Sequence, residues 1–176
     1  MIRKFAGFCP EIPDSCFIAK NTEIIGDVKL GENVNIWYGT IIRADINRIE
    51  IGDNTNIQDG SVVHVDLPGE KADSGAVIIG KNVTVGHKAL LHACRIGNNC
   101  LIGMGAIILS GAEIGTDCIV AAGAVVKENE IIPSGSLVAG LPAKIKGSVN
   151  PDWQEKILLS AQRYVELGRQ HKETVI

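Results

Sequence analysis

Three histidines with regular spacing are the residues of this chain best suited to bind a metal ion. His64, His87 and His92 lie close to one another in the sequence, whereas His171 stands alone near the carboxyl end. Imidazole nitrogen is a common zinc ligand, and three protein ligands leave a fourth position open for water, as in catalytic zinc sites. The sequence therefore predicts a catalytic type of metal site, if the fold brings these side chains together.

The elements that must position these histidines follow from a period of six residues, which persists over most of the chain. An aliphatic residue opens each hexad, a small or β-branched residue stands four positions later, and glycine often follows the aliphatic residue. The opening residues include Ile18, Ile24, Leu30, Ile36, Ile42, Ile51, Ile57, Val63, Ile79, Val85, Leu91, Ile96, Ile102, Ile108, Ile114, Val120, Val126, Ile132 and Val138. This period predicts an all-β solenoid, in which three hexads form one coil and successive coils stack about 4.8 Å apart.

The hexad register predicts the relative positions of the three histidines. His64 and His92 occupy equivalent outward positions one coil apart, once the inserted stretch 66–75 is set aside. Their imidazoles would stack in one column and converge on one metal ion. His87 falls in the neighbouring column, around a corner of the prism. A three-histidine site is therefore easiest to build between copies, with His87 from one chain and the pair from the next, and three such interfaces close a homotrimer.

The same register places further polar residues. Arg43 falls in the column of His64 and His92 one coil earlier, and Asp59 falls in the column of His87 one coil earlier. If the two edges meet between subunits, we expect Asp59 to lie opposite Arg43 as a buried ion pair. His171 is expected to be a solvated residue of the terminal helix.

The chain is expected to divide into a β-helix with an amino-terminal lead-in (1–147) and a carboxyl-terminal helix (148–176). Asn150 and Pro151 are typical of a helix start. A stripe at helical spacing predicts that a helix of about 20 residues packs back on the prism. Trp37 is expected to face outward and to be covered by a terminus or another subunit. The stripe consists of Trp153, Ile157, Ala161, Tyr164, Val165 and Gly168.

Composition excludes several classes of function. Aromatic residues make up only 4% of the chain and the net charge is −3, with no basic run, so a nucleic-acid surface is not expected. No apolar stretch is long enough to span a membrane. The five cysteines form no Cys-x-x-Cys pair, and we interpret them as reduced thiols of a cytoplasmic protein.

The motifs around the histidines resemble those of the γ-class carbonic anhydrases, and the likeness covers about residues 10–147. It rests on Arg43-Ala-Asp45, Asn56-Ile-Gln58-Asp59-Gly60, His64, Gly86-His87 and His92-Ala-Cys94. The resemblance implies a left-handed parallel β-helix of hexapeptide repeats with a carboxyl-terminal α-helix. It also implies a divalent metal at each trimer interface, zinc by expectation with iron or cobalt as alternatives. The implied reaction is the attack of metal-bound hydroxide on carbon dioxide to give bicarbonate.

The resemblance also implies roles for residues other than the histidines. Gln58 would hydrogen-bond the metal-bound hydroxide or bicarbonate, and Tyr164 would approach the site from the helix. Arg43, Asp45 and Asp59 would organise the interface.

The sequence departs from the prototype of that family at two places. Ile46 stands where the prototype has a glutamate, and the stretch 65–73 is shorter and lacks the glutamate that shuttles protons. Glu70 and Asp73 are the candidates to replace it.

Two other classes of function stay open: an enzyme that acts on coenzyme A thioesters, and a scaffold that is not an enzyme. A hexapeptide acyltransferase would need one essential histidine and a coenzyme A groove, whereas a metal-dependent acyl-CoA thioesterase would use the same hydroxide on a thioester. A trimeric scaffold with weak or no activity would retain the ligands without the reaction.

Overall fold

A computed structural model of the 176-residue chain describes residues 1–70 and 73–174. In chain order the strands are β1 (Ile2–Arg3), β2 (Phe17–Ile18), β3 (Glu23–Leu30), β4 (Asn35–Ile36), β5 (Ile41–Ile51), β6 (Asn56–Ile57), β7 (Val62–His64), β8 (Val77–Ile79), β9 (Thr84–Val85), β10 (Leu90–His92), β11 (Arg95–Ile96), β12 (Leu101–Ile102), β13 (Ile107–Ile108), β14 (Glu113–Ile114), β15 (Ile119–Val120), β16 (Val125–Val126), β17 (Ile131–Ile132), β18 (Ser136–Ala139) and β19 (Lys144–Ser148). They are followed by one helix, α1 (Pro151–Glu173).

The parallel strands stack into three faces of a prism. The first face runs β2-β4-β6-β9-β12-β15-β18. The second face joins the amino-terminal half of β5 to β7, β10, β13 and β16, and the third joins its carboxyl-terminal half to β8, β11, β14 and β17. At the amino-terminal end β1 pairs with β3, and at the other end β19 pairs antiparallel with β18. The predicted solenoid of hexapeptide repeats with a terminal helix is confirmed, and the antiparallel β19 is an addition that the repeat did not indicate.

The core of the prism consists of the aliphatic residues that open the hexads. Ile36, Ile57, Val85, Ile102 and Val120 are fully buried, and the small residues four positions after them are buried as well. Small side chains at these positions let the backbone turn between faces while the aliphatic side chains fill the narrow interior. Among the described residues, all five cysteines are free thiols, and four of them are buried.

One corner of the prism is held by a ladder of four asparagine side chains and one aspartate. Asn33, Asn54, Asn82, Asn99 and Asp117 all have φ between 55° and 59°. Asparagine tolerates this left-handed conformation better than most residues. In each rung the Nδ2 atom donates to the Oδ1 atom of the next residue, at 3.0–3.2 Å. The ladder therefore links five successive coils.

Two insertions interrupt the coils. The pairing of β3 with β5 shifts register between Gly26 and Val28, where the partner strand carries the extra residues. The second insertion covers the stretch 66–75, and its described part is fastened to the third face because the Asp73 carboxylate accepts hydrogen bonds from Arg48 and Arg95.

Helix α1 packs on the first face. The Asn150 side chain caps the helix by accepting the Trp153 N–H at 2.9 Å, as the sequence predicts. Ile157, Ala161 and Gly168 are buried against the prism. No helix in the described ranges is both long enough and apolar enough to cross a membrane.

The helix covers Trp37, as expected, but two expectations about its side chains were wrong. Trp153 is 47% exposed, because it lies in the first turn before the helix reaches the prism. His171 is not a purely solvated residue. Its ring lies 4.9 Å from the Trp37 ring between centroids, and its Nδ1 atom is 3.0 Å from the Tyr38 hydroxyl.

Candidate metal centre

The parallel pairing of β7 with β10 brings His64 and His92 together. Their Cα atoms are direct partners in the sheet, so the predicted one-coil separation is confirmed. His64 Nδ1 lies 3.2 Å from His92 Nε2, and the ring centroids are 5.1 Å apart. Two ring nitrogens therefore face each other on the outside of the second face.

The outer nitrogen of each imidazole has its own hydrogen-bond partner. His64 Nε2 lies 3.2 Å from Asp45 Oδ1, and His92 Nδ1 lies 2.9 Å from Ser110 Oγ. Such outer partners fix the orientation of histidines that bind metal ions. The two rings are thus each held from their outer side, with their inner nitrogens next to each other.

The spacing of the inner nitrogens can be tested against a zinc ion. The two nitrogens are 3.2 Å apart. With Zn–N bonds of about 2.0–2.1 Å, such a separation corresponds to an N–Zn–N angle of about 100°. That angle is close to tetrahedral, so the separation of the two nitrogens is compatible with a shared zinc ion. The donor set of two neutral imidazoles is also suited to zinc, iron or cobalt.

The surroundings of His64, chiefly its burial, favour its neutral form. Burial lowers the pKa of the His64 imidazole, an effect that the Asp45 hydrogen bond opposes and the Arg43 charge reinforces. Burial also acts on Asp45, but the hydrogen bonds from Arg43 and His64 outweigh it and lower the pKa of that carboxyl. A neutral imidazole is the form that binds a metal ion.

Arg43 lies in the same column as the histidine pair, since its Cα atom pairs with that of His64. This confirms the predicted register, although the insertion lies only a few residues further along β5. Within the chain its guanidinium bonds to Asp45. Arg43 therefore fastens the carboxylate that holds His64.

His87 and Asp59 lie together in the neighbouring column, as predicted. His87 Nδ1 is 2.8 Å from Asp59 Oδ2, and each side chain is 42% exposed. The Lys88 N–H donates to the Asp59 carbonyl at 2.9 Å, which shows that the two corners stack directly. Within the described ranges, no three His, Cys, Asp or Glu side chains of one chain converge to hold a metal ion. The predicted contact of Asp59 with Arg43 across an interface stays a prediction.

Gln58 is 5% exposed and lies on the first face beside Asp59. Its Nε2 atom donates to Asn56 Oδ1 at 3.2 Å, and Asn56 Nδ2 in turn donates to Thr84 Oγ1 at 2.9 Å. These bonds hold the Gln58 carboxamide in one orientation, with its nitrogen toward Asn56. The Gln58 oxygen is therefore the atom available to accept a further hydrogen bond.

Tyr164 reaches this region from helix α1. Its ring packs edge-on against Trp37, with centroids 5.6 Å apart. Burial raises the pKa of the Tyr164 hydroxyl, and the negative charge of Asp59 raises it further. The phenol therefore stays protonated as a hydrogen-bond donor close to the column of His87.

The candidate proton-shuttle residues differ in their freedom to act. Arg95 and Arg48 both bond to Asp73 and lower the pKa of its carboxyl, which argues against a shuttling role. Glu70 lies in the exposed loop. Ile46, at the position of the prototype's glutamate, is exposed beside Phe8 and Asp45.

Two supports of the site were given no role from the sequence: Ser110, and Asn56, which stands in the motif that also contains Gln58. Ser110 follows His92 at an interval of one regular coil of three hexads. That spacing was a usable signal for Ser110. Asn56 gave a weaker signal, since only helix α1 makes its outward position a buried one.

Comparisons with known proteins agree with this architecture. The family model described as bacterial transferase hexapeptide (six repeats) matches residues 10–44 and 93–128. A carbonic anhydrase of Geobacillus kaustophilus is 39% identical over 178 residues, covering 98% of this chain and 91% of the relative. The mitochondrial gamma carbonic anhydrase 2 of Arabidopsis thaliana is 39% identical over 162 residues, covering 92% of this chain. The chain spans only 58% of the length of that plant relative.

A solved structure of a hexapeptide transferase family protein from Anaplasma phagocytophilum has a TM-score of 0.89 and 41% identity, and the match covers 96% of both chains. The fold and the paired histidines thus define a hexapeptide-repeat β-helix protein with a candidate metal centre. With the identity and coverage of its relatives, the chain belongs to the γ carbonic anhydrase family.

Proposed function

We propose that this protein is a metal-dependent carbonic anhydrase that works as a homotrimer, with His64 and His92 of one subunit and His87 of another around each metal ion. The observation that carries the proposal is the opposed pair of ring nitrogens at 3.2 Å, each ring held from behind. Zinc is the proposed metal. The name carbonic anhydrase of the Geobacillus relative supports the reaction.

The placement of the metal site between subunits is supported by a row of apolar residues beside the column of His64 and His92. Ile41, Val62 and Leu90 stack in register beside the histidine column, and Ile41 and Leu90 are 40% and 37% exposed. A row of apolar side chains next to charged ones is typical of a surface that another protein covers. A second copy would bury this row and bring its His87 and Asp59 to the pair.

The residues of the chain would divide the work as follows. When bound, the metal ion would act as a Lewis acid that makes a water molecule nucleophilic near neutral pH, as is known for zinc carbonic anhydrases. Asp59 would orient His87 through Nδ1 and leave Nε2 free as a ligand. The Gln58 oxygen would accept a hydrogen bond from the attacking water and so orient it toward carbon dioxide.

The proposal includes a role for Tyr164 and a cellular location. The Tyr164 hydroxyl would close the site from the helix and donate to the bicarbonate product. We also propose that the protein acts in the cytoplasm, where its buried thiols would stay reduced.

We expect the removal of protons from the site to limit the rate of hydration. Asp73 is held by two arginines, so Glu70 is the remaining acidic candidate on the loop. Fast hydration requires that protons leave the site as quickly as bicarbonate forms. We therefore expect hydration that is buffer-dependent, with exogenous imidazole raising the turnover number.

Elemental analysis and stopped-flow hydration of carbon dioxide on the same zinc-reconstituted sample test the proposal. We expect about one zinc per chain, a trimer by analytical ultracentrifugation, and hydration that disappears in His92→Ala. His171→Ala is the matched control, because His171 is the one histidine of the chain that is not a proposed metal ligand. A protein that takes up no zinc after reconstitution would refute the proposal.

An acyl-transfer function is the second candidate, favoured by the likeness to the hexapeptide transferase family protein. Zinc uptake without hydration, together with hydrolysis of acetyl-CoA, would favour the thioesterase. Acetyl transfer that persists after metal removal would favour a transferase, and zinc uptake with neither reaction would favour a scaffold.

A further inference from the structure

The two outer partners of the histidine pair differ in chemistry. Asp45 Oδ1 lies 3.2 Å from His64 Nε2. An ionised carboxylate can only accept a hydrogen bond. His64 Nε2 must therefore carry the hydrogen, which leaves a lone pair on its Nδ1 atom. Arg43 holds the carboxylate in place, so this tautomer of His64 is fixed.

At His92 the partner is the Ser110 hydroxyl, which lies 2.9 Å from Nδ1. A hydroxyl can either donate or accept. His64 Nδ1 and His92 Nε2 are only 3.2 Å apart. Since the first atom carries a lone pair, a metal-free pair is stable only if His92 Nε2 carries the hydrogen. His92 Nδ1 then has a lone pair of its own, and the Ser110 hydroxyl must donate to it.

A metal ion requires the opposite arrangement at His92. His92 Nε2 must present a lone pair to the metal, so the neutral ring must carry its hydrogen on Nδ1. The Ser110 oxygen must then accept from that Nδ1–H. One proton moves from Nε2 to Nδ1 through solvent, the hydroxyl of Ser110 rotates, and the proton count of the pair is unchanged.

We propose that Ser110 is a positioning residue that lets His92 change tautomer when metal binds, donating to the ring without metal and accepting from it with metal. The inference rests on the proposed function only in that a metal ion binds at the pair. Ser110 itself need not move. Its carbonyl accepts the Asn129 N–H at 3.0 Å, and the Gly111 N–H donates to the Ala93 carbonyl at 2.8 Å, so the backbone is fastened to both neighbouring coils.

Substitutions at position 110 give distinct expectations. Ser110→Ala removes the acceptor that the loaded ring needs, and loss of such an outer partner typically lowers metal affinity about 10–100-fold. Ser110→Thr keeps a hydroxyl and should restore most of the affinity. Ser134→Ala is the matched control, because the Ser134 hydroxyl accepts a backbone N–H at another corner, with no histidine partner among the described contacts. Its zinc affinity should equal that of the unmodified protein.

The direct test is long-range ¹H–¹⁵N correlation NMR of the imidazole nitrogens, on chelator-treated and Zn²⁺-loaded protein. We expect the His92 hydrogen on Nε2 without zinc and on Nδ1 with zinc, while His64 keeps Nε2–H in both. Zinc binding to His92 with the same tautomer before and after would overturn this inference alone. Absence of any zinc-induced change at all histidines would overturn the proposed function together with it. Zinc affinities measured by chelator competition, with Ser110→Ala equal to Ser134→Ala, would also contradict the inference.

Discussion

Mixing two inactive variants would show whether histidines of different subunits share one metal ion. His64 and His92 stand 3.2 Å apart within one chain, whereas His87 lies in another column with Asp59. In the proposed ring, each site takes the pair from one subunit and His87 from its neighbour. His87→Ala retains an intact pair and His92→Ala retains an intact His87, so the two variants complement each other only across an interface.

The expected magnitude follows from the geometry of a closed ring of three subunits. In any mixed trimer of the two variants, one interface combines an intact pair with an intact His87, and the other interfaces each lack a ligand. Mixed trimers should therefore hold about one third of the zinc of the unmodified protein. A site formed within one chain would recover none, because every chain lacks a ligand.

The assay uses co-expression of the two variants with different affinity tags, purification on both tags in sequence, and measurement of zinc per trimer and of hydration rate. Co-expression of His64→Ala with His92→Ala is the matched control. Both variants then lack an intact pair, so no interface is complete and no zinc is expected. Mixed trimers of the complementing variants without zinc, or zinc in the control trimers, would refute the shared site.

Three further substitutions test individual parts of the structure. The folded-state pKa of Asp45 is lowered. Its contribution to stability is therefore complete above the unfolded-state pKa of about 3.9 and is lost as the pH falls through the folded-state value. The midpoint temperature of thermal unfolding of Asp45→Asn should lie below that of the unmodified protein at about pH 6, and the two midpoints should converge in strong acid. Gly168→Leu should displace helix α1 and expose Trp37 to water, seen as a red shift in fluorescence, because a Cβ atom at 168 would already lie 3.1–3.2 Å from carbon atoms of the first face. Gly147→Leu is the control and should cause no shift, because a Cβ atom at 147 meets no atom within 4 Å. Asn82 makes two ladder hydrogen bonds and has a left-handed backbone. Asn82→Ala should therefore cost about 2–4 kcal/mol in urea unfolding, and Asn82→Gly should recover the share that comes from the backbone, which alanine disfavours. Equal stability of the alanine and glycine variants would contradict that division.

The β-helix and the histidine column were predictable because a solenoid repeats one local rule. Each hexad places its aliphatic residue inward, so counting along the chain fixes which residues are neighbours in adjacent coils. The pairing of His64 with His92, and of Arg43 with His64, follows from that count. The inserted loop did not disturb the count, since its ends return to the same register.

Contacts between elements of different period were not predictable. Helix α1 follows a period of 3.6 residues per turn, and the prism follows its hexads, so the residues that meet depend on how the helix is docked. The contact of His171 with Tyr38 and the exposure of Trp153 arise in this way. The ion pairs of Asp73 with Arg48 and Arg95 likewise depend on the path of an irregular segment.

The sequence by itself determined the fold, the core and the columns in which the candidate ligands stand, because these depend on spacing along the chain. Only the tertiary structure decided how the ligands are held: a carboxylate behind His64, a hydroxyl behind His92 and a second carboxylate behind His87. The hexad repeat fixes which residues share a column, whereas side-chain rotamers and the choice of hydrogen-bond partner are set by packing in three dimensions.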